Sequence, residues 1–329
     1  MNHLPPSWMR LWLGIAALGG LFAAANIVSA QAPQITDPLD LNVLRTNEAF
    51  VPETIKIRPR CSERAPVQMG DNVMIGGFTL QGTIPKRVII RAIGPELTQY
   101  GVANALGNPA LELYDGTGAF IAYNNDWMRT IIGGIIKASQ VREIQDSGYA
   151  PSGGRESAII ADLPAGNYTT IVRSADGFTG VALVEVYDLS SDTASIFSNT
   201  SGRSFVQTGD NVTIVGFSVQ GTQQKRIIVR AIGAQLAHFG IPNSLADPIL
   251  ELHGGAGNLI ASNDNWMTTI ISGIITKNQV RDIMNSGYAP TDGRESAIIA
   301  DLPAGNYTAI VRGANDTTGV ALVDVYDLP

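Results

Sequence analysis

The sequence GRESAIIADLPAGNYT, residues 154–169, occurs again without a single change at residues 293–308. Without a gap, the same offset aligns residues 57–190 with residues 196–329, at roughly 60 % identity. Each copy has the size of one domain with its own hydrophobic core. The chain is therefore a tandem duplication, and we expect two homologous domains.

Strand patterns dominate each copy. VMIGGFTLQG (73–82) and RVIIRAIG (87–94) are rich in β-branched residues and end in glycine, which is typical of strands. The turn Pro164-Ala165-Gly166 inside the repeated stretch ends one strand and starts the next. About seven strands per copy, with one short helix within residues 139–148, predict a β-sandwich.

The N-terminus has the features of a secretory signal peptide. One arginine precedes an apolar run, and small residues end it at Val28-Ser29-Ala30, so we expect cleavage after Ala30. The alternative is an uncleaved membrane anchor, because the run of ~18 residues is just long enough to span a bilayer. The predicted segments are a signal peptide at 1–30, an extended leader at 31–56, the first sandwich repeat at 57–189, a linker at 190–195 and the second repeat at 196–329.

Composition limits the partners. Cleavage removes one arginine and no acid, so the formal charge falls from −7 to −8, which argues against nucleic acid. No other segment reaches membrane-spanning length, so we expect a secreted or cell-surface protein without a membrane span after cleavage. Cys61 is the only cysteine, and an intrachain disulfide is impossible.

A family resemblance lies in the second part of each copy. LELYDGTGAFIAYNNDW, ESAIIADLPAGNYTTIVR and GVALVEVYDL resemble the bacterial pre-peptidase C-terminal domain and related β-sandwich modules of secreted bacterial proteins. The resemblance implies a jelly-roll-like, non-catalytic accessory domain, which in some relatives binds calcium. The chain departs from that pattern because no peptidase domain accompanies the two repeats.

Catalytic patterns are weak. In the alignment of the two copies, Gln99 and Tyr114 occupy the positions of His238 and His253. A duplicated site that depends on histidine is therefore excluded. One cysteine and two mature histidines cannot build a zinc tetrahedron. Ser157 is not in a nucleophile elbow.

Pairs of acidic residues do not indicate a catalytic site either. Acids recur in both copies, but their spacing brings no two of them to one cleft, and a hydrolase remains only a remote alternative. We expect instead that Glu112 or Glu156 pairs with Arg91, a cation in an apolar strand, and that Arg230 has an acidic partner too.

Oxygen ligands suggest calcium. Carboxylate and amide oxygens crowd one strand end in each copy, which a hard cation prefers. Asp115, in the neighbouring turn, could add an oxygen in the first copy, where we therefore expect tighter binding, whereas Gly254 replaces it in the second. The alternative is that these residues form Asx turns with their own backbone. The candidate metal ligands are Asp115, Asn124, Asn125 and Asp126 in the first copy and Asn263, Asp264 and Asn265 in the second.

Aromatic rings are the candidate ligand-binding residues. Trp127 and Trp266 follow these clusters, and Tyr149 and Tyr288 lie downstream. Exposed rings could stack on a sugar, whereas buried rings would close the end of the core. The sequence thus predicts an exported, non-catalytic binding or adhesion protein, whose extracellular ligand is a polysaccharide or another surface protein. The alternative is a structural subunit of an extracellular assembly.

Overall fold

The computed structural model describes residues 60–190 and 195–328. The predicted signal peptide, the leader and most of the linker lie outside the described residues. The described part is all-β with two eight-stranded antiparallel sheets, which confirms the predicted fold class. Among the described residues, no helix is long and apolar enough to cross a membrane.

Eight strands form in each repeat, one more than the sequence predicted. Those of the first repeat are β1 (Cys61–Val67), β2 (Met74–Gly82), β3 (Lys86–Ile93), β4 (Pro109–Asp115), β5 (Phe120–Asn124), β6 (Ser157–Leu163), β7 (Gly166–Ser174) and β8 (Gly180–Asp188). Those of the second are β9 (Ser195–Val206), β10 (Thr213–Val219), β11 (Lys225–Ile232), β12 (Pro248–Gly254), β13 (Leu259–Asn263), β14 (Ser296–Leu302), β15 (Gly305–Gly313) and β16 (Gly319–Leu328). The predicted short helices are α1 (Val141–Asp146) and α2 (Val280–Asn285), and the 3-10 turns span Pro95–Tyr100, Ala234–Phe239 and Ala314–Asp316.

Each repeat is a jelly roll. In the first repeat, the strand orders are β1-β8-β3-β6 and β2-β7-β4-β5, and the second repeat follows the same two orders. Consecutive strands such as β6 and β7 therefore lie in opposite sheets, as in double-sheet jelly rolls. The connection between β6 and β7 must therefore pass from one sheet to the other.

The repeated sixteen residues make this crossing. The hydroxyl of Tyr168 donates to the carbonyl oxygen of Pro164 at 2.8 Å, and Tyr307 does the same to Pro303 at 2.9 Å. Such a tyrosine fixes the corner where a chain changes sheets. At the start of β6, Ser157 is fully buried, and its hydroxyl oxygen lies 2.6 Å from the carbonyl oxygen of Pro109. Each sandwich needs this strand and corner, which is why the stretch occurs twice.

The two sandwiches join edge to edge. Strand β1 pairs with β10 and strand β9 pairs with β2, both antiparallel, so each eight-stranded sheet takes four strands from each repeat. Equivalent strands of the two repeats, such as β1 and β9, lie in different sheets and on opposite sides of the junction between the repeats. The pseudo-twofold axis that relates the repeats therefore runs between the two sheets, parallel to the strands. The outer ends of the molecule are therefore equivalent.

Two hydrophobic cores lie between the sheets. Alternate strand residues face inward, and in β8 these are Ala182, Val184 and Val186, as the alternation in the sequence predicts. The main cluster of each repeat is built from that repeat's own residues, with Phe197 of β9 the one partly buried neighbour packed against the first. The repeats thus keep separate cores although they share both sheets.

Candidate functional site

The segment between β5 and β6 covers the outer face of the sheet that contains β8, β3 and β6. This segment contains Trp127 and helix α1, and it packs Trp127 and Ile144 against Ile89, Ile160 and Tyr187. The second repeat builds the same cluster around Trp266. Buried apolar side chains therefore line both faces of this sheet.

Both tryptophans are buried, and this corrects the hypothesis of exposed sugar platforms. Trp127 is 6 % exposed, and its indole N–H donates to the carbonyl oxygen of Gly153 at 2.8 Å. Trp266 is 7 % exposed and donates to Asp292 in the same way. A ring needs a free face to stack on a sugar, so the packing alternative holds. Tyr149 and Tyr288 are only partly buried.

A largely buried arginine contacts the backbone of each of these tyrosines. Arg91 on β3 is the register partner of Glu185 on β8, and its Nε lies 3.2 Å from Glu185 Oε2. Its Nη1 donates to the carbonyl oxygen of Tyr149 at 2.9 Å, and the Tyr149 ring lies 4.4 Å from that of Tyr187. Arg230 pairs with Asp324 in a two-pronged contact of 2.8 and 2.6 Å.

The expectation that both arginines have acidic partners is confirmed, but the predicted partners were wrong. Glu112 binds Arg173, with 3.3 Å between the charged groups. Glu156 is fully buried and accepts the backbone N–H groups of Gly94 and Glu96 at 2.6 and 2.7 Å. Burial raises the pKa of Glu156 to about 7, although these two hydrogen bonds oppose the change. Glu156 thus ties the connection after β3 to the sandwich.

The structure separates Asp115 from the other predicted calcium ligands of the first repeat. Asn124 pairs with Leu111 at one end of the β4–β5 hairpin, whereas Asp115 lies beyond the other end, roughly 13 Å away at the rise of a strand. The Asn124 amide accepts two backbone N–H groups and donates to two carbonyl oxygens, which uses its full capacity. Asp115 accepts the N–H groups of Thr117 and Ala119 in an Asx turn.

The second repeat offers two acidic oxygens without hydrogen bonds. Oδ1 of Asp264 and Oδ1 of Asp247 are buried and have no hydrogen-bond partner. Burial, and then the negative charge of Asp264, raise the pKa of Asp247. Asn263, in contrast, is used by the turn, since its amide donates to the carbonyl oxygens of Asn265 and Thr268. The reason for ranking the first repeat above the second is therefore removed.

We predict that calcium, the candidate cofactor, binds near Asp264 rather than near Asp126. Two carboxylates that repel each other gain most from a shared divalent cation. Millimolar calcium should raise the melting temperature of the full chain by about 2–4 °C for each kcal/mol of binding free energy. Asp264→Asn should remove this shift and the matched variant Asp126→Asn should keep it, as measured by calorimetry with magnesium as the control ion. If calcium does not change the melting temperature of the wild type, these residues serve only to form turns.

Side-chain amides cap the outer edge of β6 and of β14. The Gln140 carboxamide accepts the backbone N–H of Ile160 at 3.2 Å and donates to its carbonyl oxygen at 2.6 Å. Asn124 Oδ1 accepts the N–H of Ala158 at 3.2 Å, and Gln279 and Asn263 repeat both caps on β14. Occupied edge groups cannot pair with a strand of another chain.

Exposed apolar side chains lie on β5 and in the segment after it, and on β13 and in the segment after it. The most exposed among them are Ile132 and Ile271, at 66 % and 64 %. Each repeat has the same four positions, and we call each set an apolar ridge. The ridge residues are Phe120, Met128, Ile132 and Ile135 in the first repeat and Leu259, Met267, Ile271 and Ile274 in the second.

A glycine fixes the position of each ridge. Gly134 has φ +55°, and a Cβ there would lie 1.8 Å from the carbonyl oxygen of Ile121. That oxygen accepts the N–H of Ile135 at 3.0 Å, and Gly273 and Ile274 repeat the arrangement against Ile260. Ile135 and Ile274 are therefore held against the strand edge.

The ridges were missed in the sequence because their apolar runs resemble buried strands. The run TIIGGIIK at 130–137 has the composition of a core segment. Its central Gly133-Gly134 pair was the available sign of a turn at the surface.

Comparisons with known proteins find no family. No family model and no curated protein matches the chain. An isomalto-dextranase of Arthrobacter globiformis T6, solved with panose, is 12 % identical over 82 % of this chain and 39 % of its own, with a TM-score of 0.18. A DUF4785 family protein of Legionella pneumophila is 9 % identical over 91 % of this chain and 68 % of its own, with a TM-score of 0.21. The chain thus spans about two fifths of the first protein's length, and neither likeness carries an argument.

Proposed function

We propose that this chain is an exported, non-catalytic binding or adhesion protein whose two apolar ridges bind a protein partner at or beyond the cell surface. The observation that carries the proposal is that the same four exposed positions are apolar in both repeats. Large exposed apolar side chains that recur at the same positions in both repeats are candidates for an interaction site, because exposed apolar patches mark such sites.

The chemistry of the ridges favours a protein over a polysaccharide. Sugar recognition uses exposed flat rings, whereas seven of the eight ridge residues are isoleucine, leucine or methionine. Phe120 is the one aromatic among them. Flexible and branched aliphatic side chains instead fit the apolar centre of a protein interface.

The fold makes the proposed binding bivalent. One ridge follows β5, the last strand of one sheet, and the other follows β13, the last strand of the other sheet. The ridges therefore lie at opposite ends of the joined sandwiches. Two linked sites that engage together bind a surface more tightly than one.

The alternative function, a structural subunit, has less support from the edges. Polymerisation by strand addition requires free edge groups, and Gln140 and Gln279 occupy those at the centre of β6 and β14. The alternative therefore needs association through the other two edges, β5 and β13, or through the ridges after them.

A cell-binding experiment tests the proposal. The labelled mature chain is added to cells of the strain that encodes it, with and without protease treatment, and saturable binding should be sensitive to protease. Burial of an isoleucine contributes about 1.5–3 kcal/mol, so Ile132→Asp with Ile271→Asp should weaken binding by at least about tenfold. Phe178→Ser, an exposed apolar residue outside the ridges, is the matched control and should bind normally.

Three results would contradict the proposal. Binding that survives protease would point to a polysaccharide. Equal binding by the double variant and the wild type would show that the ridges are not part of the contact. Light scattering that grows with concentration, and that the double variant abolishes, would favour the structural alternative through self-association of the ridges.

A further inference from the structure

A polar layer separates the two hydrophobic cores where the repeats join. Glu63 on β1 is only 2 % exposed and points between the sheets, toward Gly76 and Gly202 of the opposite sheet. The hydroxyl groups of Ser204 and Thr213 are also buried here, and they lie 2.7 Å apart. We call this region, formed by the β1–β10 and β9–β2 pairs, the joint.

Only one of two equivalent positions in the joint can carry a side chain. Glu63 in the first repeat corresponds to Gly202 in the second. A Cβ on Gly202 would lie 2.6 Å from Cδ of Glu63, and therefore the missing side chain creates the space for the carboxyl group. The otherwise symmetric joint thus contains one acid near its axis.

This carboxyl group is poorly satisfied. Oε1 and Oε2 of Glu63 are both buried without a partner at good hydrogen-bonding geometry, and the neighbouring donor is the Ser204 hydroxyl. The charge that acts on it is that of Arg203 on β9, whose Nη2 donates to the carbonyl oxygen of Asp71, with no ion pair to Glu63. Burial raises the pKa of Glu63 to about 8, and Ser204 and Arg203 offset only part of that rise. The other neighbours are Thr170 of β7, Val184 of β8 and Val215 of β10.

We propose that Glu63 makes the joint a pH-sensitive switch, closed when the carboxyl group is neutral and loosened when it is ionised. A neutral acid fits a buried site with hydroxyl neighbours. An ionised carboxylate there lacks the paired cation that a buried charge requires. Water must then reach it, and β1 and β9 separate from their neighbours to let it in.

The direction of the pH effect follows from the two states. In the open joint, Glu63 titrates near its ordinary value of 4.5, whereas in the closed joint it titrates near 8. The stability that the proton supplies is complete below pH 4.5 and is lost as the pH rises through 8. Between these two pKa values, opening is linked to the release of one proton, and its equilibrium constant rises tenfold per pH unit. It should therefore increase roughly a hundredfold between pH 6 and pH 9.

Hydrogen exchange of the full chain tests the switch. Opening constants of β1 and β9 amides, corrected for the intrinsic exchange rate, should show this increase in the wild type but not in Glu63→Gln, which has the same shape and cannot ionise. Glu156→Gln is the matched control, because it removes a second buried acid away from the joint, and it should keep the increase. Equal pH dependence in the wild type and Glu63→Gln would overturn the proposal.

A measurement on the wild type covers the case in which Glu63→Gln does not fold. The side-chain carboxyl carbon of Glu63, assigned by through-bond NMR correlations, should titrate well above 6. Titration near 4.5 would overturn the switch. Glu63→Gly, which copies the second repeat, should fold and lose the pH dependence of the joint.

Discussion

Glu185→Ala should lower the free energy of unfolding by about 3–5 kcal/mol, because it leaves the largely buried Arg91 guanidinium without its carboxylate. The carbonyl oxygen of Tyr149 and the hydroxyl of Tyr187 remain as acceptors, but neither is charged. Urea denaturation followed by tryptophan fluorescence measures the loss. Asp324→Ala should have a similar effect in the second repeat.

Two variants separate the buried charge from a general loss of packing. Asp146→Ala removes an exposed partner of Arg142, 3.6 Å away, and should change stability by less than about 0.5 kcal/mol. Arg91→Met combined with Glu185→Leu removes both charges and should cost much less than Glu185→Ala alone. A loss below about 1 kcal/mol for Glu185→Ala would show that Arg91 does not need this acid.

The need for an acid near Arg91 could be predicted from the sequence, but its identity could not. A cation among β-branched residues predicts a buried pair by itself. Its partner depends on the register of β3 against β8, two strands that are far apart in the sequence. The alternation in β8 placed Glu185 on the correct face, so the face was predictable and the neighbour was not.

The joint was not predictable because β1 contains few strand signals. Its sequence CSERAPV carries three charged or polar residues and a proline, which lower strand propensity. It becomes a strand because β8 and β10 both pair with it. Pairing between the copies leaves no pattern in either copy, which is why two separate sandwiches were predicted and two joined ones are found.

The last candidate residue to test is Trp127, where Trp127→Ala should lower the free energy of unfolding by about 3–5 kcal/mol. The substitution removes a large buried ring from a cluster that includes Ile89 and Ile144, and leaves the carbonyl oxygen of Gly153 without its donor. Calorimetry of the full chain measures the effect. Trp127→Phe keeps most of the packing and should cost less, since it loses chiefly the hydrogen bond of about 1 kcal/mol.

The neighbouring residue provides the control for this prediction. Met128 is exposed, so Met128→Ala should leave stability within about 0.5 kcal/mol of the wild type. Adjacent positions thus separate the two roles that this segment combines, because Trp127 attaches it to the sandwich and Met128 belongs to the ridge. If Trp127→Ala were as mild as Met128→Ala, the ring would not be packed, and stacking on a sugar would again be open to it. A large loss in Trp127→Ala alone would instead show that the ridge is presented by a segment anchored in the sandwich.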